Sequence, residues 1–426
     1  MNVINAARRR RFASLLLLFA AAMLPFSLSA PAYAATPIKI GFGMAMTGAL
    51  AGNGKAALIA MEMWKEEVNA KGGLLGRPVE FVYYDDQTNP ALVPGIYSKL
   101  LDVDKVDLVV SGYGTAVQAP AMPIIMQRNK VFMCFFGLAV NDQFNYNRYF
   151  QIQPNGPNPS PEWSEGFYQI AMTMNPRPKT IALVGADAEF PHMALEGARA
   201  NAKKYNFQVV YDRTYPPNTV DFAPVIRSIQ ATNPDVVFVA SYPPDSSGIV
   251  RAATELNLKT KMFGGGMIGL QFAALKSLLG PALNGLVYYD LYLPEPTMKF
   301  PGVTEFLRKY QERAAKAGAD PLGFYLPPYA YGAMQILQEA ITKVGSLDQA
   351  KIADYIHKNS FDTIVGKISF APNGEWSKPR ILYAQYQGIV GNDIEQFKKV
   401  GKQPILYPKE FQSGKLQYPY IDIKRK

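Results

Sequence analysis

Cysteine and histidine are almost missing from this chain. Its 426 residues include one cysteine, Cys134, and two histidines, His192 and His357. A lone cysteine rules out an internal disulfide, and inside the apolar stretch "KVFMCFF" it reads as core filling. No histidine stands near it in sequence, so a cysteine hydrolase is not expected. The two histidines are far apart, with no carboxylate at metal-ligand spacing, which argues against a zinc site. Phosphate-binding turns are lacking too: "FGGGM" has no G-x-G-x-x-G frame and follows a late strand, so no cofactor of that kind is expected. Bases outnumber acids, 44 to 34, yet they form no arginine-aromatic stripe of the kind nucleic acid needs.

One long apolar run does occur, at the start. "ARRRRF" precedes "ASLLLLFAAAMLPFSLSA" and the small residues of "AYA", the order of a secretory signal peptide with cleavage expected after Ala34. Pro25, Ser27 and Ser29 leave the run shorter than the roughly 20 residues of a membrane span. The arginines fit either a general or a twin-arginine export signal. Nothing later is long and apolar enough to cross a bilayer, so the mature chain is expected to be soluble in an extracytoplasmic space. The leader holds four arginines and no acid, which leaves a scattered surplus of six positive charges. The remaining length exceeds what one hydrophobic core usually supports and predicts two domains.

Along the mature chain, strands and helices alternate. "IKIGFGM" predicts a strand and "NGKAALIAMEMWKEEVNAKGG" a helix stopped by glycines. "PVEFVYYDD", "VDLVVSG" and "VFMCFF" predict further strands, with a helix opening at Thr115. After the proline-rich joint "QPNGPNPSPEW" the pattern restarts with "TIALVGA", "QVVYDRTY", "DVVFVAS" and "KMFGGG" as strands. The expected fold class is therefore α/β, with two doubly wound parallel-sheet lobes. Two long helices, "VTEFLRKYQERAAKA" and "PYAYGAMQILQEAITKV", have no strand between them and are expected on the first lobe. "GKISFAPNGEWSKPRILYAQYQ" reads as a hairpin turning at Asn373 and Gly374.

In such sheets ligands bind beyond the carboxyl ends of the strands. The turns expected to face a ligand are 46–48, 112–115, 135–139, 186–190, 241–242 and 264–267. In "SGYGTA" glycine lets the backbone approach a ligand, and the helix start offers free N–H groups. Thr115 adds a hydroxyl there, or serves only as a helix cap. Asp85 and Asp86 point to opposite faces of a strand and read as support for these loops.

Taken together, "MTGALAGNGKAALIAMEMWKEEVNAKGGLLGRPVEFVYYDDQTNP", "GTAVQAPA", "DFAPVIRSIQATNPDVVFVASYPPDSSGIVRAATELNL" and "FDTIVGKISFAPNGEW" resemble the periplasmic binding proteins of branched-chain amino acid type ABC importers. The resemblance covers essentially the whole mature chain and implies the type I periplasmic binding protein fold, with three hinge crossovers. These would lie near 153–159, Asp290 and Lys367, giving one lobe of residues 35–154 with 291–367 and another of 155–290 with 368–426. It implies no catalysis, a small-molecule ligand, an inner-membrane ABC permease complex as partner and a monomeric state.

The resemblance also implies a set of ligand-binding positions. Thr115, with Tyr113 and Ala116 beside it, matches the seat of the ligand carboxylate, and Gly137 the carbonyl that receives a ligand amine. Tyr242 and Phe324 match aromatic residues around the ligand side chain, while Asn53 and Phe190 stand where tyrosines are common. Two positions depart from the amino acid pattern. Ala139 replaces a threonine, and Gly266 replaces the acid that would pair with an α-ammonium group. A desolvated ammonium without that partner loses a charge-assisted bond of about 1.5–3 kcal/mol. The expected ligand is thus an aromatic or aliphatic carboxylate without an α-ammonium group. Alternatives are a true branched-chain amino acid binder, with Asp187, Glu189 or Asp245 supplying the charge, a periplasmic sensor presenting its closed form to a receptor, and a secreted hydrolase. For the last no nucleophile and base can be assembled.

Overall fold

The computed structural model describes residues 36–423, so the leader and its cleavage point lie outside the described residues. Five parallel strands build the first sheet: β1 (Ile38–Met44), β2 (Val79–Asp85), β3 (Leu108–Tyr113), β4 (Phe132–Phe135) and β5 (Tyr149–Gln151), in the order β2-β1-β3-β4-β5. Strand β1 shows how period-2 alternation places its neighbours. Ile38, Ile40, Phe42 and Met44 are wholly buried, whereas Gly41 leaves room on the other face. A Cβ there would stand 2.8 Å from Val106 and 3.1 Å from Leu100, at the end of the helix Val93–Asp102.

The second sheet starts with β6 (Thr180–Ala186), β7 (Gln208–Tyr215), β8 (Val236–Ser241), β9 (Met262–Met267) and β10 (Val287–Asp290), all parallel. Every residue of β8 and β9 is buried, as a strand covered on both faces requires. A separate hairpin follows, β11 (Ser360–Thr363) with β12 (Gly366–Ser369). Then β13 (Leu382–Gln385) joins the second sheet antiparallel to β10, and β14 (Ile405–Tyr407) adds the edge, giving β14-β13-β10-β9-β8-β6-β7.

The expected hairpin from 366 to 387 is therefore divided. Its turn exists: Ala371 N–H donates to Glu375 O (2.7 Å), and Gly374, at φ +77°, gives its carbonyl to Gln151 N–H at β5 (2.8 Å). Its two strands, however, go to different partners. The turn chemistry is local, whereas β10, the partner of β13, lies far back in the chain.

The chain passes between the sheets in the segments 152–158, 291–302 and 370–381. The helices Val303–Ala317 and Pro327–Val344 cover the first sheet by packing on the helix Ala51–Ala70. Trp64 of that helix is 1 % exposed and donates through Nε1 to Gln338 Oε1 at 2.9 Å. A buried indole needs such a polar partner while its rings fill the core.

Candidate functional site

The carboxyl ends of the two sheets face a cavity of about 700 Å³. From the first sheet's side it is lined by Leu50, Pro90, Tyr113, Thr115, Phe136 and Tyr325, and from the second by Phe190, Tyr242, Asp245, Ile268 and Tyr289. The loop 217–220, which follows β7, contributes as well.

One wall is the turn after β3. Gly114 holds φ +104° and its N–H donates to Phe135 O at 3.1 Å, a conformation that glycine adopts without a Cβ penalty. Helical backbone then runs from Thr115 through Gln127 in short segments. The cap position is Gly114, so Thr115 is not the cap. Its Oγ1 instead accepts from Leu138 N–H at 3.1 Å, tying this turn to the one after β4. The first N–H groups of such a run have no partner within the helix and carry partial positive charge.

Across the cavity Tyr242 meets Phe190, with ring centroids 6.0 Å apart. The only side chain of the lining with a carboxylate or cationic group, among the described residues, is Asp245. Burial pushes its carboxyl upward, partly offset by the hydrogen bond from Tyr215 Oη at 3.1 Å. The tyrosines of the cavity wall are neutral, because burial raises their titration far above its ordinary range.

Of the positions drawn from the sequence, Tyr113, Thr115, Ala116, Phe190 and Tyr242 line this cavity together. The other five lie elsewhere. The carbonyl of Gly137 accepts from Asn155 Nδ2 (3.0 Å), which also donates to the buried Glu375 (3.1 Å). Ala139 faces a different surface hollow beside Asp142 and Pro157. Gly266 lies against the Trp163 indole, and neither residue lines the cavity. Asn53 borders a neighbouring crevice with Lys55 and Phe272. Phe324 is buried against Tyr292, and the next residue, Tyr325, reaches the cavity instead.

Leu50, Gln153 and the loop 217–220 also line the cavity and were not expected from the sequence. Phe136, by contrast, lies in the expected turn 135–139, Asp245 was an alternative ammonium partner, and Tyr289 and Tyr325 belong to the aromatic segments "YYDLYLPE" and "GFYLPPYAY" that the resemblance places at the hinge and cleft. The loop had a signal, since "PPNT" is a turn at the end of a parallel strand. Gln153 fell within a segment read only as a hinge. Asp85 does support a loop: its carboxylate accepts from the N–H groups of Met46, Thr47 and Gln87.

Residues 37–384 match the periplasmic binding protein family. The chain belongs to that family. A Leu/Ile/Val-binding protein of Citrobacter freundii is 26 % identical over 358 residues, which cover 83 % of this chain and 92 % of the relative. Among solved structures, a leucine-binding protein of Thermotoga maritima superposes with a TM-score of 0.71 at 21 % identity, covering 82 % of this chain and 96 % of that one. A solute-binding protein of an ABC transporter from R. palustris, solved with benzoate, gives a TM-score of 0.71 at 17 % identity, covering 87 % and 95 %. The fold is that of type I periplasmic binding proteins. The chain is thus a substrate-binding protein of the branched-chain amino acid class of ABC transporters, a periplasmic family that binds small molecules and works with membrane permeases.

Proposed function

We propose that this periplasmic binding protein closes its two lobes over an aromatic or aliphatic carboxylate that lacks an α-ammonium group, and delivers it to its permease. The supporting observation is Gly266: where an ammonium partner would stand there is no side chain, and Trp163 fills the space in front of it. The carboxylate would rest on the free N–H groups and hydroxyl at Thr115 and Ala116, with its apolar body between Phe136, Phe190 and Tyr242. Because walls from both lobes touch the ligand, binding favours the closed state. The benzoate held by the R. palustris relative is a ligand of this chemical type.

A second reading is a true branched-chain amino acid binder, with Asp245 as the ammonium partner. Asp245 lines the cavity, and the Citrobacter freundii relative is a Leu/Ile/Val-binding protein. A thermal-shift screen of the mature protein separates the two, since a ligand selective for the native state raises its melting temperature. Stabilisation by benzoate or a short aliphatic acid, with none from leucine or valine, is the expected result. Stabilisation by leucine or valine alone overturns the carboxylate reading.

A further inference from the structure

Three tyrosine hydroxyls meet on the cavity wall. Tyr289 Oη lies 2.7 Å from Tyr325 Oη, which lies 3.3 Å from Tyr113 Oη. All three side chains line the cavity and none is more than 2 % exposed. They come from distant parts of the chain: Tyr113 ends β3 in the first sheet, Tyr289 belongs to β10 in the second, and Tyr325 shortly precedes the helix Pro327–Val344.

The hydrogen-bonding capacity of this trio is unbalanced. A phenol has one proton to give and lone pairs to accept with. Three hydroxyls joined by two hydrogen bonds use two of their three protons. Whichever way those bonds run, one O–H is left over on a residue that faces the cavity. Among the described residues, the hydroxyls have no acceptor except one another. The other polar neighbour of the Tyr113 oxygen is Asn53, but no hydrogen bond joins the two, and Asn53 Nδ2 is itself buried without a partner.

We propose that this tyrosine trio is a specificity element for a hydroxyl group on the ligand, which makes the preferred cargo a hydroxylated aromatic acid. The inference rests on the carboxylate reading above and adds the second functional group. A ligand hydroxyl takes the spare proton and returns its own to a free lone pair. A carboxylate can only accept, and would press its charge against the remaining tyrosine oxygens. A hydrogen atom or methyl group does neither, and leaves the buried donor unpaired.

The test is calorimetric titration of the mature protein with benzoate, 4-methylbenzoate, 3- and 4-hydroxybenzoate, and leucine. In the wild type, at least one hydroxybenzoate binds roughly tenfold or more tighter than benzoate or 4-methylbenzoate, the worth of one well-made hydrogen bond. In Tyr325→Phe and Tyr289→Phe that ratio falls towards one, with cooperative thermal unfolding as the check on folding. A wild-type protein that prefers benzoate or the methyl analogue overturns the proposal, and it does so even if a variant fails to fold. So does a ratio unchanged in both variants, or a loss that is equal for all the acids. Benzoate binding without hydroxyl preference removes this inference alone. Leucine binding with no response to any acid removes the carboxylate reading as well.

Discussion

Trp163 covers Gly266. A Cβ placed on Gly266 would stand 2.7 Å from the indole Cη2 and 2.9 Å from Cζ3. The indole is wholly buried, with ring centroids 4.7 Å from Tyr289 and 5.4 Å from Phe190, two residues of the cavity wall. It forms a second layer behind that wall, in the space an acidic side chain would need. Gly266→Ala is expected to lower stability by about 1–3 kcal/mol, the usual cost of overpacking a tight core. Gly266→Glu is expected to create no amino acid site. Chemical denaturation of the alanine variant checks the first, and an alanine variant as stable as the wild type refutes it.

Thr115 serves two neighbours at once. Its hydroxyl oxygen accepts from Leu138 N–H, and its backbone begins the helical run that faces the cavity. Thr115→Ala is expected to weaken ligand binding about tenfold, one hydrogen bond's worth, and to lower stability by about 1 kcal/mol because Leu138 N–H loses its acceptor. Thr115→Ser keeps the hydroxyl and stays close to wild type. Unchanged affinity of the alanine variant by calorimetry would remove Thr115 from the site.

Tyr242 contributes area more than charge. Its ring faces Phe190 across the cavity lining, and a buried aromatic ring gives large contact area with little lost freedom. Tyr242→Phe should retain most of the affinity for a carboxylate ligand, whereas Tyr242→Ala should lose about 2 kcal/mol or more. Equal losses in the two variants would mean that the hydroxyl, not the ring, matters.

Asp86 offers a pH test of the loop scaffold. Burial, and behind it the charge of Asp85, push its carboxyl up to about 6, against the pull of the Thr88 N–H bond at 2.8 Å. The folded-state value lies above the unfolded one near 4, so the charged form costs stability above pH 6, and the cost fades as the pH falls from 6 to 4. Asp86→Asn retains an acceptor for Thr88 N–H. It should be more stable than the wild type at pH 7–8, by at most about 3 kcal/mol, with the gap closing near pH 4. Thermal unfolding across pH 4–8 reads this, and a gap independent of pH contradicts it.

Much of the fold was legible because its signals are local. "VVFVAS" has to be a strand buried on both faces, and the glycine ahead of Thr115 has to allow a turn. Among the strands, β5, β10, β11 and β14 were not expected from the sequence, because each is only three or four residues long, too short for a period to show. The cavity was half legible. Tyr113, Thr115, Ala116, Phe190 and Tyr242 follow from the rule that ligands sit at strand ends, whereas Tyr325 and Tyr289 lie outside any strand-end turn that was chosen. Phe324 and Tyr325 are adjacent aromatic residues, and no periodic pattern says which of them faces inward.

By itself the sequence determined two α/β lobes and a ligand gap between strand ends, since alternation, turn chemistry and residue type act over a few neighbours. Tertiary structure decided that Trp163 fills the space before Gly266, that Asp245 enters the cavity, and that three tyrosine hydroxyls from distant segments meet. Those contacts join residues separated by tens to hundreds of positions. Which side chains share a cavity depends on how whole sheets and helices pack, not on any local propensity.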